Sequence, residues 1–189
     1  MAILCRIKEL EYLEERYEWL QSINFCRTKW EANPNDLQAM MRFFSQQWLL
    51  SAYFYELPPF DEMAAKNKNQ YIDAIKTFQS EKQFQAIAYL KQYGDEHFIK
   101  DPLYLCLSGY MMTQTYEYFG SIKFSEIQTE GEKRLSSAML MSNKECALFS
   151  KAIKENYQID KKVIDSMFPG KSAFDEYIKY ELINIRKGR

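Results

Sequence analysis

Residues 101–119, DPLYLCLSGYMMTQTYEYF, decide the fold class of this chain. Asp101 can accept a hydrogen bond from a free amide at a helix start, and Pro102 suits the first helical turn because its missing amide hydrogen is not needed there. From Leu103 to Met112 almost every side of such a helix is apolar. A helix without a polar face has to be covered by other helices. The stretch therefore predicts a central helix in a helical protein.

A second stretch, residues 36–56, has the same character. Apolar residues lie on both of its helical faces: Leu37, Met40, Met41, Phe44, Trp48 and Ala52 on one, Phe43, Leu50, Phe54 and Leu57 on the other. Asp36 stands where it can cap the helix start. We predict a second central helix here.

Composition agrees with a helical fold. Val163 is the only valine in the 189 residues, and the unbranched side chains that lose little freedom in a helix are plentiful. The length suits one domain with its own core. We predict an all-α, single-domain bundle of about eight or nine helices over residues 1–189, with two central apolar helices and with stacked helical hairpins as one possible arrangement.

The remaining helices follow from periodicity and from stop signals. A first helix runs from Ile3 to Trp30 and ends at Asn33-Pro34-Asn35-Asp36; a third, containing Ala64 and Phe78, follows the Leu57-Pro58-Pro59-Phe60 corner. Gly94 is placed to end a fourth, and Gly120 to end the one that starts at Pro102. A Ser125/Gln128 capping box opens the next, which runs to about Met141 and in which Gly131 is a candidate break. The last three are predicted over residues 143–157, 160–168 and 172–186.

Charge and cysteine usage argue against several classes of protein. With 25 basic and 26 acidic residues the chain has no basic excess for nucleic acid. Its four cysteines are far apart and suggest neither zinc nor a disulfide framework. The most hydrophobic stretch, residues 43–60, contains Gln46, Gln47 and Glu56 and is too polar for a membrane span, and no signal peptide is visible. We expect a cytoplasmic protein without metal or cofactor.

Residues 168–172, FPGKS, resemble the end of a phosphate-binding loop. The full motif requires a glycine at position 165, where the chain has Asp165, and a strand before the loop, where the pattern is helical. The competing interpretation is a helix stop at Pro169-Gly170 followed by a Ser172 cap with Asp175 in the capping-box position. We favour the helix stop.

His97 is the single histidine and the only possible imidazole base. No nucleophile motif accompanies it. We expect His97 to lie in a polar loop between two helices, beside Asp95 and Glu96.

Acidic side chains supply the candidate binding residues. The spacing of Glu11, Glu15 and Glu18 places them along one ridge of the first helix, where they could attract a basic partner. Asp95 and Glu96 add two carboxylates in the predicted loop. We take these five as candidate partner-binding residues, and an ordinary solvated face is the alternative.

The absence of a catalytic signature and the 30 aromatic residues favour a non-enzymatic protein-binding module. The most concrete form is a bacterial toxin-neutralising immunity protein, since an acidic ridge could cover the basic face of a nuclease toxin. A secretion chaperone or adaptor is one alternative, and a small helical enzyme with a His- or Cys-based pocket is another. A homodimer formed through the first helix is a further hypothesis.

Overall fold

The computed structural model describes residues 2–53, 68–78, 80–119 and 123–185, which form ten α-helices and one 3-10 helix. The α-helices are α1 (Lys8–Glu15), α2 (Trp19–Ala32), α3 (Leu37–Ala52), α4 (Lys68–Phe78), α5 (Glu81–Phe98), α6 (Pro102–Gln114), α7 (Phe124–Met139), α8 (Lys144–Glu155), α9 (Lys161–Met167) and α10 (Ala173–Ile185). The 3-10 helix, Tyr116–Phe119, follows α6. The prediction of an all-α bundle is confirmed.

The two apolar helices lie in the middle of the bundle, as predicted. Every residue of α3 from Met40 to Ser51 is buried, and every residue of α6 from Leu103 to Met112 is buried as well. The two helices contact each other, and α3 also contacts α2, α5 and α10. Consecutive helices form the most extensive contacts, α6 with α7 and α7 with α8. Strands are absent from the described ranges.

Side-chain caps fix several helix starts. The carboxylates of Asp36 and Asp101 accept from the amides of Ala39 and Leu103 at 3.1 and 2.8 Å, which confirms both predicted caps. Asn143 caps α8 in the same way. The predicted Ser125/Gln128 capping box is wrong, because α7 already begins at Phe124 and its start has no side-chain cap.

The predicted first helix is divided into α1 and α2 by a turn at Tyr17. Tyr17 has φ of 61°, and the amides of Tyr17 and Glu18 donate to the carbonyls of Glu14 and Leu13. These two bonds form a Schellman motif, in which glycine usually occupies the left-handed position. A tyrosine there gives no stop signal in the sequence. This division accounts for ten helices where eight or nine were predicted.

Gly94 does not end a helix, contrary to the prediction. Helix α5 continues through it to Phe98, and Gly94 is buried against the ring of Tyr104 from α6. A β-carbon at this position would lie 2.2 Å from Tyr104 Cε2. Gly94 thus serves close helix packing and not a turn, and the predicted polar loop at Asp95, Glu96 and His97 is the last turn of α5.

Gly131 lies inside an unbroken α7. A β-carbon there would approach the carbonyl oxygen of Gly109 in α6 to 2.9 Å, and one on Gly109 would approach the carbonyl oxygen of Gly131 equally closely. The two glycines let the backbones of α6 and α7 touch. The helix predicted over about residues 125–141 is therefore continuous, without the candidate break at Gly131.

Some predictions fall outside the described residues: the Pro58-Pro59 corner, the place of Ala64, and Gly120 as a helix stop. Over the ranges that are described, no helix combines the length and the apolar character needed to cross a membrane.

Candidate functional site

The acidic ridge predicted on the first helix, Glu11, Glu15 and Glu18, does not form a continuous exposed surface. Glu11 is only 6% exposed, and its carboxylate pairs with Arg6 at 2.8 Å and accepts from the amide of Lys171 at 2.7 Å. Burial opposes its ionisation, yet the hydrogen bonds from Arg6 and Lys171 hold the pKa of Glu11 below its usual range. Glu11 is therefore an interior anchor between α1 and the segment before α10.

The other two ridge residues remain accessible. Glu15 is exposed. Glu18 is half-buried and pairs with Arg16 at 2.7 Å, while Arg16 also lies over the ring of Tyr12. This face of α1 has mixed charge, with Lys8 and Arg16 exposed next to the carboxylates. The exposed side chains of this face therefore do not form a purely acidic ridge.

Asp95 is likewise occupied by neighbours in the bundle. It pairs with Lys91 and with Arg134, each at 2.7 Å, and accepts from the hydroxyl of Tyr104 at 2.6 Å. Despite burial, the hydrogen bonds from Lys91 and Tyr104 and the charge of Arg134 hold the pKa of Asp95 below its usual range. Asp95 joins α5, α6 and α7, and its first role is structural.

Glu96 lies on an exposed stripe of α5, and it is the only one of the five predicted residues that does. The solvent side of α5 carries five exposed residues at successive intervals of four, four, three and four positions, and we call them the α5 stripe: Glu81, Gln85, Tyr89, Gln92 and Glu96. Such intervals keep side chains on one helical face. Fifteen residues of helix separate its ends, which is about 22 Å.

Hydrogen bonds order both ends of the α5 stripe. The amide of Gln85 donates to Glu81 at 3.3 Å, and the amide of Gln92 donates to Glu96 at 3.0 Å. Tyr89 lies between these two pairs with 56% of its surface exposed. The stripe presents carboxylate and amide oxygens on both sides of one aromatic ring.

Three aromatic side chains support Tyr89 on its inner side, and we call them the aromatic platform: Trp30, Phe43 and Tyr93. The ring of Tyr89 meets Trp30 of α2 edge-on with centroids 6.3 Å apart, and Trp30 stacks on Phe43 of α3 at 5.8 Å. Tyr93 also meets Trp30 edge-on with centroids 5.1 Å apart, and its hydroxyl donates to the carbonyl of Pro34. Because Trp30 and Phe43 are buried, the ring of Tyr89 is exposed but not loosely held.

His97 is exposed on the last turn of α5. Its Nδ1 lies 2.8 Å from the carbonyl oxygen of Tyr93, and its ring stacks on Tyr93 with centroids 4.0 Å apart. The imidazole is thus used to cover the aromatic platform.

The FPGKS segment has its amides occupied from within the protein. The amide of Lys171 donates to Glu11, and the amide of Ala173 donates to Glu14 at 2.6 Å. Ser172 Oγ donates to Asp175 at 2.6 Å and accepts from its amide at 3.4 Å. These bonds are those of a helix stop and cap, as the favoured interpretation expects, and carboxylates take the positions that phosphate oxygens would need.

The cysteines are free thiols, and three of the four are buried. Burial raises the pKa of Cys26 to about 12, and burial together with Cys146 raises the pKa of Cys106. Cys5 is exposed near the N-terminus. In the parts of the chain that are described, no group of three His, Cys, Asp or Glu side chains is placed to hold a metal ion.

The structure thus brings together one predicted residue, Glu96, with four that sequence reasoning missed. A signal for them exists, since Glu81, Gln85 and Tyr89 recur every four positions and polar residues surround a single tyrosine. The aromatic support under Tyr89 has no such signal, because Trp30 and Phe43 come from two other helices.

An all-helical bundle with an exposed aromatic and acidic stripe on one surface helix is the class of protein that the fold and this surface define. Comparisons with protein-family models, with curated proteins and with solved structures find no match.

Proposed function

We propose that this protein is a non-enzymatic protein-binding module and that the α5 stripe is its binding surface. The observation that carries the proposal is the exposed, supported ring of Tyr89 between the Glu81–Gln85 and Gln92–Glu96 pairs. Tyrosine is enriched among the residues that dominate binding energy, and a ring held in place loses little freedom on binding.

The chemistry of the stripe favours a basic partner. Two carboxylates lie on it with no cation between them, although Lys82 and Lys100 are exposed near its two ends. Arginine and lysine of a partner could pair with Glu81 and Glu96 while an apolar or cationic group covers Tyr89. The partner we propose is another protein with a basic patch about 20 Å long.

The specific form that we propose is an immunity protein that covers the basic substrate face of a bacterial toxin. A nuclease toxin needs basic residues to hold phosphates. An acidic and aromatic stripe on a helix of a rigid bundle could occupy such a face without resembling nucleic acid in shape. Of the five residues predicted from the sequence, Glu96 fits this function best, because it is the one that lies on the α5 stripe.

Co-expression with the product of the adjacent gene tests the immunity function. We expect that product to arrest growth when expressed alone and growth to recover when the intact chain is present. A Glu81→Lys, Glu96→Lys variant should fail to restore growth, because it places two cations against a basic face. A matched control, Glu132→Lys, reverses the charge of an exposed residue on α7 and should restore growth.

Two results would overturn the immunity function. One is a neighbouring product that is harmless to the cell; if its export then required this chain, the role would be that of a secretion chaperone. The other is full protection by the doubly reversed variant, which would remove the α5 stripe from the binding surface.

A further inference from the structure

Glu14 is an acidic side chain buried in the interior of the bundle. It lies on α1, is buried, and accepts from the amide of Ala173 at the start of α10 and from the side-chain amide of Gln46 in α3. One carboxyl group thereby joins three helices. Ionised, it would be a charge removed from water, which is costly unless a cation balances it.

The nearest cation is already paired. Arg42 of α3, 2% exposed, donates through Nη1 to Asp175 of α10 at 2.9 Å. The same nitrogen donates to Ser172, and Nη2 donates to the carbonyl of Cys5 at 2.7 Å. Asp175 is only 1% exposed. The guanidinium of Arg42 therefore has a buried carboxylate as its counterion before Glu14 is considered.

The other groups around Glu14 do not supply a second buried cation. On its own helix the buried carboxylate of Glu11 is already paired with Arg6, whose side chain is partly exposed. From α2, the neighbouring group is the thiol of Cys26, which stays neutral because burial raises its pKa to about 12. Lys171, next to Glu11, is exposed. Two buried carboxyls share one buried cation, and such a group is neutral overall only when one carboxyl carries a proton.

Gln46 offers an acceptor for that proton. Its Oε1 is buried and has no hydrogen-bond partner within the described chain. Rotation of the amide by half a turn would place Oε1 where Nε2 now meets Glu14, so that a protonated Glu14 donates to it. One proton thus neutralises Glu14 and gives Gln46 Oε1 a donor, while Nε2 takes the place that Oε1 occupies now.

We propose that Glu14 is a neutral carboxylic acid in the folded protein and that its deprotonation in mildly alkaline solution releases α1 from α3 and α10. Burial, the largest influence, raises the pKa of Glu14 to about 8, against the opposing effects of the Ala173 amide and Arg42. The turn at Tyr17 separates α1 from α2, so α1 can move while the rest of the bundle stays folded. Glu14 is then a pH-sensitive latch.

Carbon-13 NMR of the glutamate side-chain carboxyls tests the protonation state. One carboxyl resonance of the unaltered protein should titrate near pH 8 and should be missing from Glu14→Gln. Glu11→Gln is the matched control and should remove a resonance that titrates below the usual range of glutamate. Since the titration is read from the unaltered protein, it does not depend on the variant folding. A Glu14 resonance that titrates like an ordinary glutamate overturns the proposal.

Tryptic cleavage after Arg16 tests the latch itself, because Arg16 lies in the turn that follows α1. Cleavage of the unaltered protein should accelerate several-fold between about pH 7 and about pH 9, relative to Glu14→Gln treated identically. Glu14→Gln has a neutral side chain at both pH values. Its cleavage rate therefore gives the pH dependence of trypsin itself, against which the unaltered protein is compared. Equal acceleration of the two proteins overturns the latch.

Discussion

The side chain of Arg42 connects α3 to three other parts of the chain. It binds the Cys5 carbonyl in the N-terminal segment, the hydroxyl of Ser172, and Asp175 of α10. Replacing it by methionine would leave Asp175 as a buried charge without a counterion, held only by the Ser172 hydroxyl. We expect Arg42→Met to lower the free energy of unfolding by about 3–5 kcal/mol. Chemical denaturation measures this loss.

The control for that substitution is Arg27→Met. Arg27 is about half exposed and lies 4.0 Å from Glu31 on the same helix. Exposed pairs of this kind contribute at most about 1 kcal/mol. Similar losses of unfolding free energy in the two variants would show that the buried ion pair contributes no more to stability than an exposed one.

Glu14 makes stability depend on pH in a defined direction. Its pKa is about 8 in the folded chain, and in an unfolded chain we expect the ordinary value of 4.5. Between these values the folded state holds a proton that the unfolded state has released, so stability falls as pH rises. Above about pH 8 the loss due to this group is complete and no longer changes with pH. The slope is at most about 1.4 kcal/mol per pH unit.

Urea titrations of the unaltered protein and of Glu14→Gln at several pH values isolate this effect, because the other titrating groups are common to both. The difference in unfolding free energy should decline from pH 4.5 to pH 8. A difference that stays constant over that interval would contradict a raised pKa.

At the residue scale the sequence does not distinguish the carboxylates of the first helix. Glu11, Glu14, Glu15 and Glu18 are chemically alike, yet the first two are buried and the third is exposed. What separates them is the segment before α10, more than 150 residues away, whose amides need acceptors. Local spacing contains no information about such a partner, and the ridge prediction erred at Glu11 for this reason.

Among the elements, the crossing of α6 and α7 depends on Gly109 and Gly131. In an isolated helix, Gly131→Ala would stabilise by about 1 kcal/mol through helix propensity. Here its β-carbon would meet the Gly109 carbonyl oxygen at 2.9 Å. Because overpacking against backbone cannot relax easily, we expect a net destabilisation of about 1–3 kcal/mol.

Thermal unfolding monitored by circular dichroism measures that change. Ser137→Ala, at an exposed position of the same helix, is the control and should leave stability unchanged or slightly raised. A higher melting temperature for Gly131→Ala would mean that the two helices are not in backbone contact.

Helix starts were predictable where a capping side chain marks them, as at Asp36 and Asp101, because the cap is a local interaction. Helix ends were predictable only in part: α2 and α9 end at the stops predicted at Asn33 and Pro169-Gly170, but two other positions depart from the local rule. Tyr17 adopts the left-handed conformation, which tyrosine rarely does. Gly94 is a residue type that often ends a helix, but here it allows close contact with Tyr104. In both cases tertiary packing overrides the local preference.

For the molecule as a whole, the sequence was sufficient for the all-α class and for the two central helices, since burial of α3 and α6 follows from their lack of a polar face. It was insufficient for the binding surface. The stripe on α5 is distinguished by the support that Tyr89 receives from Trp30, and that contact exists only after α2 and α5 have packed together.

The affinity of Tyr89→Ala for the protein that copurifies with the intact chain from its native cells tests the proposed binding surface most directly. Tyr180→Ala is the matched control, since Tyr180 is 65% exposed on α10 and lies outside the stripe. We predict that Tyr89→Ala weakens binding by at least about 2 kcal/mol, roughly 30-fold, in isothermal titration, while Tyr180→Ala binds normally. Equal affinities of both variants, or the absence of any copurifying protein, would contradict the account.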